Sequence, residues 1–273
     1  MDIVISSPGS PGTSLTEDVK NKMLKMHDVL MKKDSFSTTK EFKDYLIMEY
    51  GFNASYTRNV FPFLQFCGFI KYGESECFDN HSFFTKTGKT FVDIIRSRRE
   101  IEDRDEFPDK EYLLTKLRHM ENVIYFQGLV TMMKDRTCNY ASIFYDVLQF
   151  VKVFETITTL EYMLLLHLRD NKPDSYFQEL NNIVPQYRNG DIDLSVKVKT
   201  RKTIKKKSPE NEEIKKVATD PKENSFPYVS GNFLKAGIFI KPDIHTFAIN
   251  KDRLAEIESA MREVRKVWQS STV

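Results

Sequence analysis

Apolar residues recur at helical spacing through most of the 273 residues, with short alternating runs between them. Val19, Met23, Met26 and Leu30 form one stripe behind a Thr16 cap with Asp18 in the first turn, which predicts an opening helix. A second helix, about residues 39–50, presents Phe42, Leu46 and Ile47 and ends at Gly51. In the next segment, Ser55-Tyr-Thr-Arg-Asn-Val-Phe-Pro-Phe-Leu-Gln-Phe-Cys-Gly68, Val60, Leu64 and Cys67 share a stripe. Tyr56, Arg58, Asn59 and Gln65 fall off it. Pro62 requires that this helix begin close to Asn59 or bend at the proline, and Gly68 ends it. Phe69-Ile-Lys-Tyr72, a polar loop over 74–80 and Ser82-Phe-Phe-Thr-Lys-Thr-Gly88 then predict a hairpin. Residues 38–92 therefore follow the order helix, tight turn, helix, two-stranded wing.

Farther along, a helix over 90–106 turns highly charged at 96–105. Arg96, Arg98 and Arg99 lie in that mixed-sign run, which is expected to be a solvated face. Pro108 marks a boundary. Five helices are predicted at 112–120, 124–133, 140–150, 160–168 and 175–183, with Thr158 or Thr159 capping the fourth and Pro173 breaking before the fifth. Apolar residues crowd every face of 162–168, so that helix is expected at the centre of its domain, with His167 as a core histidine. The last segment echoes the first. Phe233-Leu234 precede Phe239-Ile-Lys241 by the offset that separates Phe63-Leu64 from Phe69-Ile-Lys71. A short helix at 228–236, strands at 238–241 and 246–249 and a turn at 242–245 form this second helix-and-wing unit, with Tyr228, Ser230, Asn232 and Lys235 on its exposed side. A helix over 251–268 closes the chain. At the other end, Ile3-Val-Ile5 and the Pro/Gly-rich residues 6–13 suit an extended arm.

The expected fold class is mainly α with small β-hairpin wings: two winged-helix-like subdomains joined by a helical block. The expected domains are 1–107, a helical domain at 108–190, a basic linker at 191–224 and a second winged subdomain at 225–273.

Composition narrows the chemistry. Forty-one basic against 39 acidic residues leave a net charge of +2, which decides nothing, but the distribution is uneven. Lys197, Lys199, Arg201, Lys202, Lys205, Lys206 and Lys207 crowd one run without an acidic residue among them, suiting either a solvated linker or a strap on phosphates. Cys67, Cys77 and Cys138 lack metal-ligand spacing, so neither a disulfide framework nor a zinc site is expected. No apolar run approaches a membrane span and no secretory signal opens the chain, so a cytoplasmic location is expected. Neither a glycine-rich phosphate loop nor a nucleophile elbow occurs, which disfavours a small-molecule enzyme.

Arginine forks onto guanine, and asparagine or glutamine pairs with adenine, when a helix lies in the major groove. On that ground the candidate base readers are Tyr56, Thr57, Arg58, Asn59 and Gln65 in the first unit, and Ser230 and Asn232 in the second. Candidate phosphate contacts are Ser10, Lys86, Lys89 and Lys235, with the basic run from Lys197 to Lys207. No catalytic or metal-binding residue is expected.

Several segments, in order, resemble a known family. They are Ser7-Pro-Gly-Ser-Pro11, the Thr57-Arg58 helix with Pro62 and Gly68-Phe69 after it, Thr85-Lys-Thr-Gly-Lys89, Thr159-Leu-Glu-Tyr-Met-Leu, and Tyr228-Val-Ser-Gly-Asn-Phe-Leu-Lys-Ala-Gly-Ile-Phe239 before a strand and Asn250. Together they resemble the N-terminal, DNA-recognising part of type IIS restriction endonucleases and their nicking relatives of the AlwI-like group. The resemblance covers nearly all of this chain but only about the front half of such an enzyme. It implies two winged-helix-like subdomains reading a short asymmetric sequence in double-stranded DNA, with cleavage by a separate nuclease domain or subunit of the PD-(D/E)xK class. Mg2+ is expected only there. This chain departs from the whole enzyme, because its formal Glu-x-Lys sets lack the required strands. Glu41-Phe-Lys43 is predicted on a helix, and Glu213-Ile-Lys215, distantly preceded by Pro173-Asp174, falls in the linker. The competing expectations are a winged-helix replication initiator or transcription regulator, and a protein-interaction module without nucleic acid.

Overall fold

Thr38 accepts the Glu41 amide at 3.1 Å and starts a twelve-residue helix that Gly51, in the left-handed region at φ 64°, ends. Local signals of this kind set several element ends in the computed structural model, which describes residues 3–6, 13–32, 36–71, 80–198, 215–217 and 225–270. The helices in chain order are α1 (Glu17–Lys32), α2 (Thr39–Tyr50), α3 (Ala54–Phe66), α4 (Asn80–Phe83), α5 (Lys86–Glu102), α6 (Lys110–Lys134), α7 (Ala141–Phe154), α8 (Thr159–Asn171), α9 (Tyr176–Asn189), α10 (Phe226–Lys235) and α11 (Leu254–Gln269). The strands are β1 (Ile3–Ser6), β2 (Thr156–Ile157), β3 (Leu194–Val198), β4 (Lys215–Val217), β5 (Phe239–Ile240) and β6 (Phe247–Ile249). The fold is mainly helical with small sheets.

The chain divides into two units that cut across the expected domain boundaries. The larger holds residues 12–142, 232–238 and 250–273, and the smaller holds 1–11, 143–231 and 239–249.

In the larger unit α1 buries Val19, Met23, Met26, Val29 and Leu30, the stripe read from the sequence with one addition. Residues 51–53 join α2 to α3 directly. Pro62 stands inside α3, neither starting the helix nor ending it. A proline there deprives the Arg58 carbonyl of its helical donor, and Arg58 is exposed, so water can take that place. After Gly68 (φ 71°) the chain returns antiparallel to itself, and among the described residues it is bridged at Ile70 and Phe84.

The expected first hairpin is thus corrected. Residues 80–83 form a helical turn, and Thr85 caps α5 by accepting the Gly88 amide at 3.0 Å. A Cβ on Gly88 would lie 1.9 Å from the Phe69 carbonyl oxygen, so this helix start closes tightly on the end of the preceding segment. α6 is one continuous helix where two were expected. The polar residue at the supposed break, Glu121, is buried and paired with Arg98 and Lys20.

In the smaller unit α8 buries Tyr162, Met163, Leu164, Leu165, Leu166 and Leu168 and is central, as its apolar residues predict. A capping box between Thr158 and Glu161 starts it. His167 is half-buried, with Asn171 Nδ2 3.3 Å from its Nδ1, rather than sealed in the core. Arg188 on α9 donates to Glu161 and to the carbonyls of Phe154 and Thr156, which fixes the short strand β2 beside α8. β6 lies between β2 and β5, antiparallel to both.

A second sheet has β3 at its centre, parallel to β1 and antiparallel to β4. The supposed arm at Ile3-Val-Ile5 is therefore a strand, and strands occupy 194–198 and 215–217 of the expected linker. The pairing of residues 3–6 with 194–197 is too distant in sequence for local pattern to reveal. Among the described residues no helix is long and apolar enough to cross a membrane.

Candidate nucleic-acid interface

α3 has two unlike faces. Val60, Phe61, Phe63 and Leu64 are buried, while Arg58, Asn59 and Gln65 are exposed, with Pro62 and Phe66 half-exposed between them. The separation follows from helical spacing, since 58, 62 and 65 fall on one side and 57, 60, 61 and 64 on the other. No acidic residue occurs in α3. Its exposed side offers a guanidinium and two side-chain amides, the groups that can fork onto or pair with base edges. Thr57 is 5% exposed and turned inward, which corrects its placement among the readers. Tyr56 lies in α3, but its side chain is outside the described residues.

Lys86 and Lys89 are exposed in the first turn of α5, and Lys89 Nζ donates to the His81 carbonyl at 2.7 Å. Lys71, which follows the Ile70 bridge, is a further exposed cation in this region that the sequence reading did not single out. The later cations of α5 are used within the larger unit. Arg98 pairs with Glu121, Glu102 and Glu17, Arg99 with Glu17, and Arg96 with Asp28. Arg118 completes the set on Glu102, and Lys20 joins Glu17 to Glu121. Burial raises the Glu17 carboxyl, yet Lys20 and Arg98 outweigh it and hold that carboxyl at about 2. This network ties α1, α5 and α6 together and is more than the solvated face expected of residues 96–105.

The second set of candidates is placed differently from expectation. Asn232 is fully buried: its Oδ1 accepts the Leu15 amide at 3.1 Å and the Tyr125 hydroxyl at 2.5 Å, and its Nδ2 donates to the Thr13 carbonyl at 3.1 Å. Ser230 is 2% exposed and donates to the Phe226 carbonyl one turn back at 2.8 Å. Lys235 is half-buried and donates to Ser14 Oγ at 3.0 Å, and burial lowers its ammonium pKa, with nearby Lys20 adding to the effect. The expected exposed side of α10 is thus corrected for all three, and only Tyr228 remains exposed. The sequence held the signal. Asn232 follows Val229 by three positions and precedes Ala236 by four, which sets it on the buried stripe.

Ser10, Lys199, Arg201, Lys202, Lys205, Lys206 and Lys207 lie outside the described residues, and Lys197 stands in β3 with its side chain likewise outside them. Glu41 and Lys43 lie on α2, whereas Lys215 opens β4, which corrects the expectation that this set lacks a strand; Glu213 lies outside the described residues. Among the described residues no three His, Cys, Asp or Glu side chains gather where they could hold a metal.

The smaller unit contains a buried polar cluster that nothing in the sequence announced. Asp146 on α7 accepts the Tyr176 hydroxyl from α9 at 3.0 Å, and Arg169 Nη1 from α8 lies 3.5 Å from its other oxygen. Burial pushes the Asp146 carboxyl up to about 6 against the pull of Arg169 and Tyr176. No family model, curated protein or solved structure matches this chain.

Proposed function

We propose that this chain binds double-stranded DNA in a sequence-specific manner, as the recognition region of a type IIS restriction or nicking endonuclease whose Mg2+-dependent nuclease domain is a separate part. One observation carries this reading. α2 and α3 are joined by three residues with a left-handed glycine, and the second helix buries one face while presenting Arg58, Asn59 and Gln65 on an acid-free other face. In this reading α3 enters the major groove, and Lys71, Lys86 and Lys89 contact phosphates. The Ile70–Phe84 bridge between α3 and α5 supports a reduced winged-helix lobe. A second lobe is supported by the order α7, β2, α8, α10, β5, β6 with β6 as the middle strand, α9 and the β3–β4 region being an insertion before α10.

The test is selection of bound fragments from a random duplex library at moderate salt, followed by Arg58→Ala on the winning site. An arginine that forks onto guanine contributes about 1 to 3 kcal/mol of discrimination, so the variant should lose far more affinity for that site than for random DNA. Equal losses on both would remove Arg58 from the reading role. Failure to enrich any sequence, or binding without steep salt dependence, would favour a protein-interaction module.

A further inference from the structure

We propose that the β5–β6 hairpin is a preformed apolar wedge for the minor groove, with Ile244 at its tip entering a base step and bending the duplex. The inference rests on the DNA-binding reading and assigns the smaller unit a role within it. Ser230 of α10 is spent on its own helix, and Asn232 and Lys235, near the C-terminal end of α10, on the Thr13–Leu15 backbone and Ser14. Of the expected second reader, Tyr228 and the turn of the hairpin remain outward: Lys241, Pro242, Asp243, Ile244 and His245 are all exposed.

A lone exposed isoleucine is ordinary on any surface. Here, however, the side chain is 75% exposed on a tip whose backbone is held from within. Asp243 Oδ1 accepts the amides of His245 at 2.8 Å and Thr246 at 2.9 Å, and Pro242 fixes the preceding turn residue. Lys241 Nζ sits 5.5 Å from the centre of the Phe247 ring, and Phe247 meets Phe226 of α10 edge-on, so the hairpin base is packed. Ile240, 47% exposed on the edge strand β5, is a second outward apolar residue of the hairpin.

The result is a narrow, stiff, β-branched point flanked by Lys241 and His245, and its one carboxylate turns an oxygen back into the turn. Proteins that kink DNA through the minor groove insert apolar side chains, isoleucine and proline among them, between base steps, and this tip presents Ile244 and Pro242 outward with Lys241 as its cation. A flexible tip would lose more conformational entropy on insertion than one already ordered.

The experiment uses the full chain and a selected duplex labelled at both ends, reading binding by anisotropy and end-to-end approach by energy transfer. Wild type should bring the ends together. Ile244→Ala should abolish most of that approach while weakening binding no more than about tenfold, and Ile244→Phe should keep the approach. Because position 244 is exposed, unfolding does not confound the comparison, and the urea midpoint of each variant checks this. A wild-type complex with a straight duplex, or an Ile244→Ala complex bent as in wild type, overturns the wedge and leaves DNA binding standing. Hydrogen exchange at 243–246 unchanged by the duplex overturns the wedge by leaving the tip outside the complex. A wild-type chain that binds no duplex overturns both.

Discussion

The Tyr125 hydroxyl and the Leu15 amide share one acceptor, Oδ1 of Asn232, at 2.5 and 3.1 Å. Since Asn232 Nδ2 also holds the Thr13 carbonyl, one side chain fastens residues 232–235, the last turn of α10, and α6 to the backbone that leads into α1 within the larger unit. The burial of Tyr125 raises its hydroxyl pKa well above the usual range, which keeps it a donor at every working pH.

Asn232→Ala should therefore act on stability and not on base choice. It strands a buried amide, a carbonyl and a hydroxyl, and each orphaned group costs about 1 to 3 kcal/mol. A loss of about 3 to 5 kcal/mol in urea unfolding is expected, with affinity for the selected site and for random DNA falling together. A loss confined to one base pair of the site would return Asn232 to the reading role.

Gly88→Ala should disrupt the start of α5. The added carbon would lie 1.9 Å from the oxygen and 2.8 Å from the carbon of the Phe69 carbonyl, and neither can move without shifting α3's exit. Overpacking of this kind typically costs about 1 to 3 kcal/mol, and the backbone on both sides places this site at the upper end. The exposed neighbour Thr87 is the control, since Thr87→Ala should stay within about 0.5 kcal/mol. Equal urea midpoints for the two variants would show that α5 can re-seat.

Where local chemistry sets an element, the sequence was legible. The α1 stripe, the Thr38 cap, the left-handed glycines at 51, 68 and 237 and the β5–β6 hairpin are all short-range features. On α3 the outward positions of Arg58, Asn59 and Gln65 were legible for the same reason. What local pattern misread was settled by distant partners. Glu121 looked like a break in α6 until Arg98 and Lys20 supplied its charges, and Lys197 looked like linker although β1 pairs with its strand. Polar residues favour water only when nothing inside the fold answers them. Asn232 found three answers and was therefore misassigned.

Glu121→Ala should be among the costliest changes in the larger unit. Glu121 and Arg98 are both nearly enclosed, and removing one partner of a buried pair typically costs about 3 to 5 kcal/mol; here Arg98 keeps Glu102 and Glu17 and Lys20 keeps Glu17, which places the loss at the lower end. Added salt should scarcely alter that loss. By contrast, any contribution from the exposed pair Arg118–Glu102 should fade with salt. A salt-sensitive Glu121→Ala penalty would place the network in open water.

Glu17 and Asp146 should shape the acid limb of stability in opposite senses. Glu17 is held at about 2 from an ordinary 4.5, so its contribution is complete above 4.5 and is lost as pH falls toward 2. Asp146 is raised to about 6 from 3.8, so the folded chain binds its proton more tightly than the unfolded one. Its contribution is complete below 3.8 and is lost as pH rises through 6, by about 3 kcal/mol for a shift of this size. Asp146→Asn keeps an acceptor for the Tyr176 hydroxyl and removes the titration. Urea unfolding at intervals from pH 4 to pH 7 should then show the variant gaining on wild type by that amount as pH rises. A difference that stays constant across the range would mean that Arg169, 3.5 Å away, fully offsets the burial of the carboxylate.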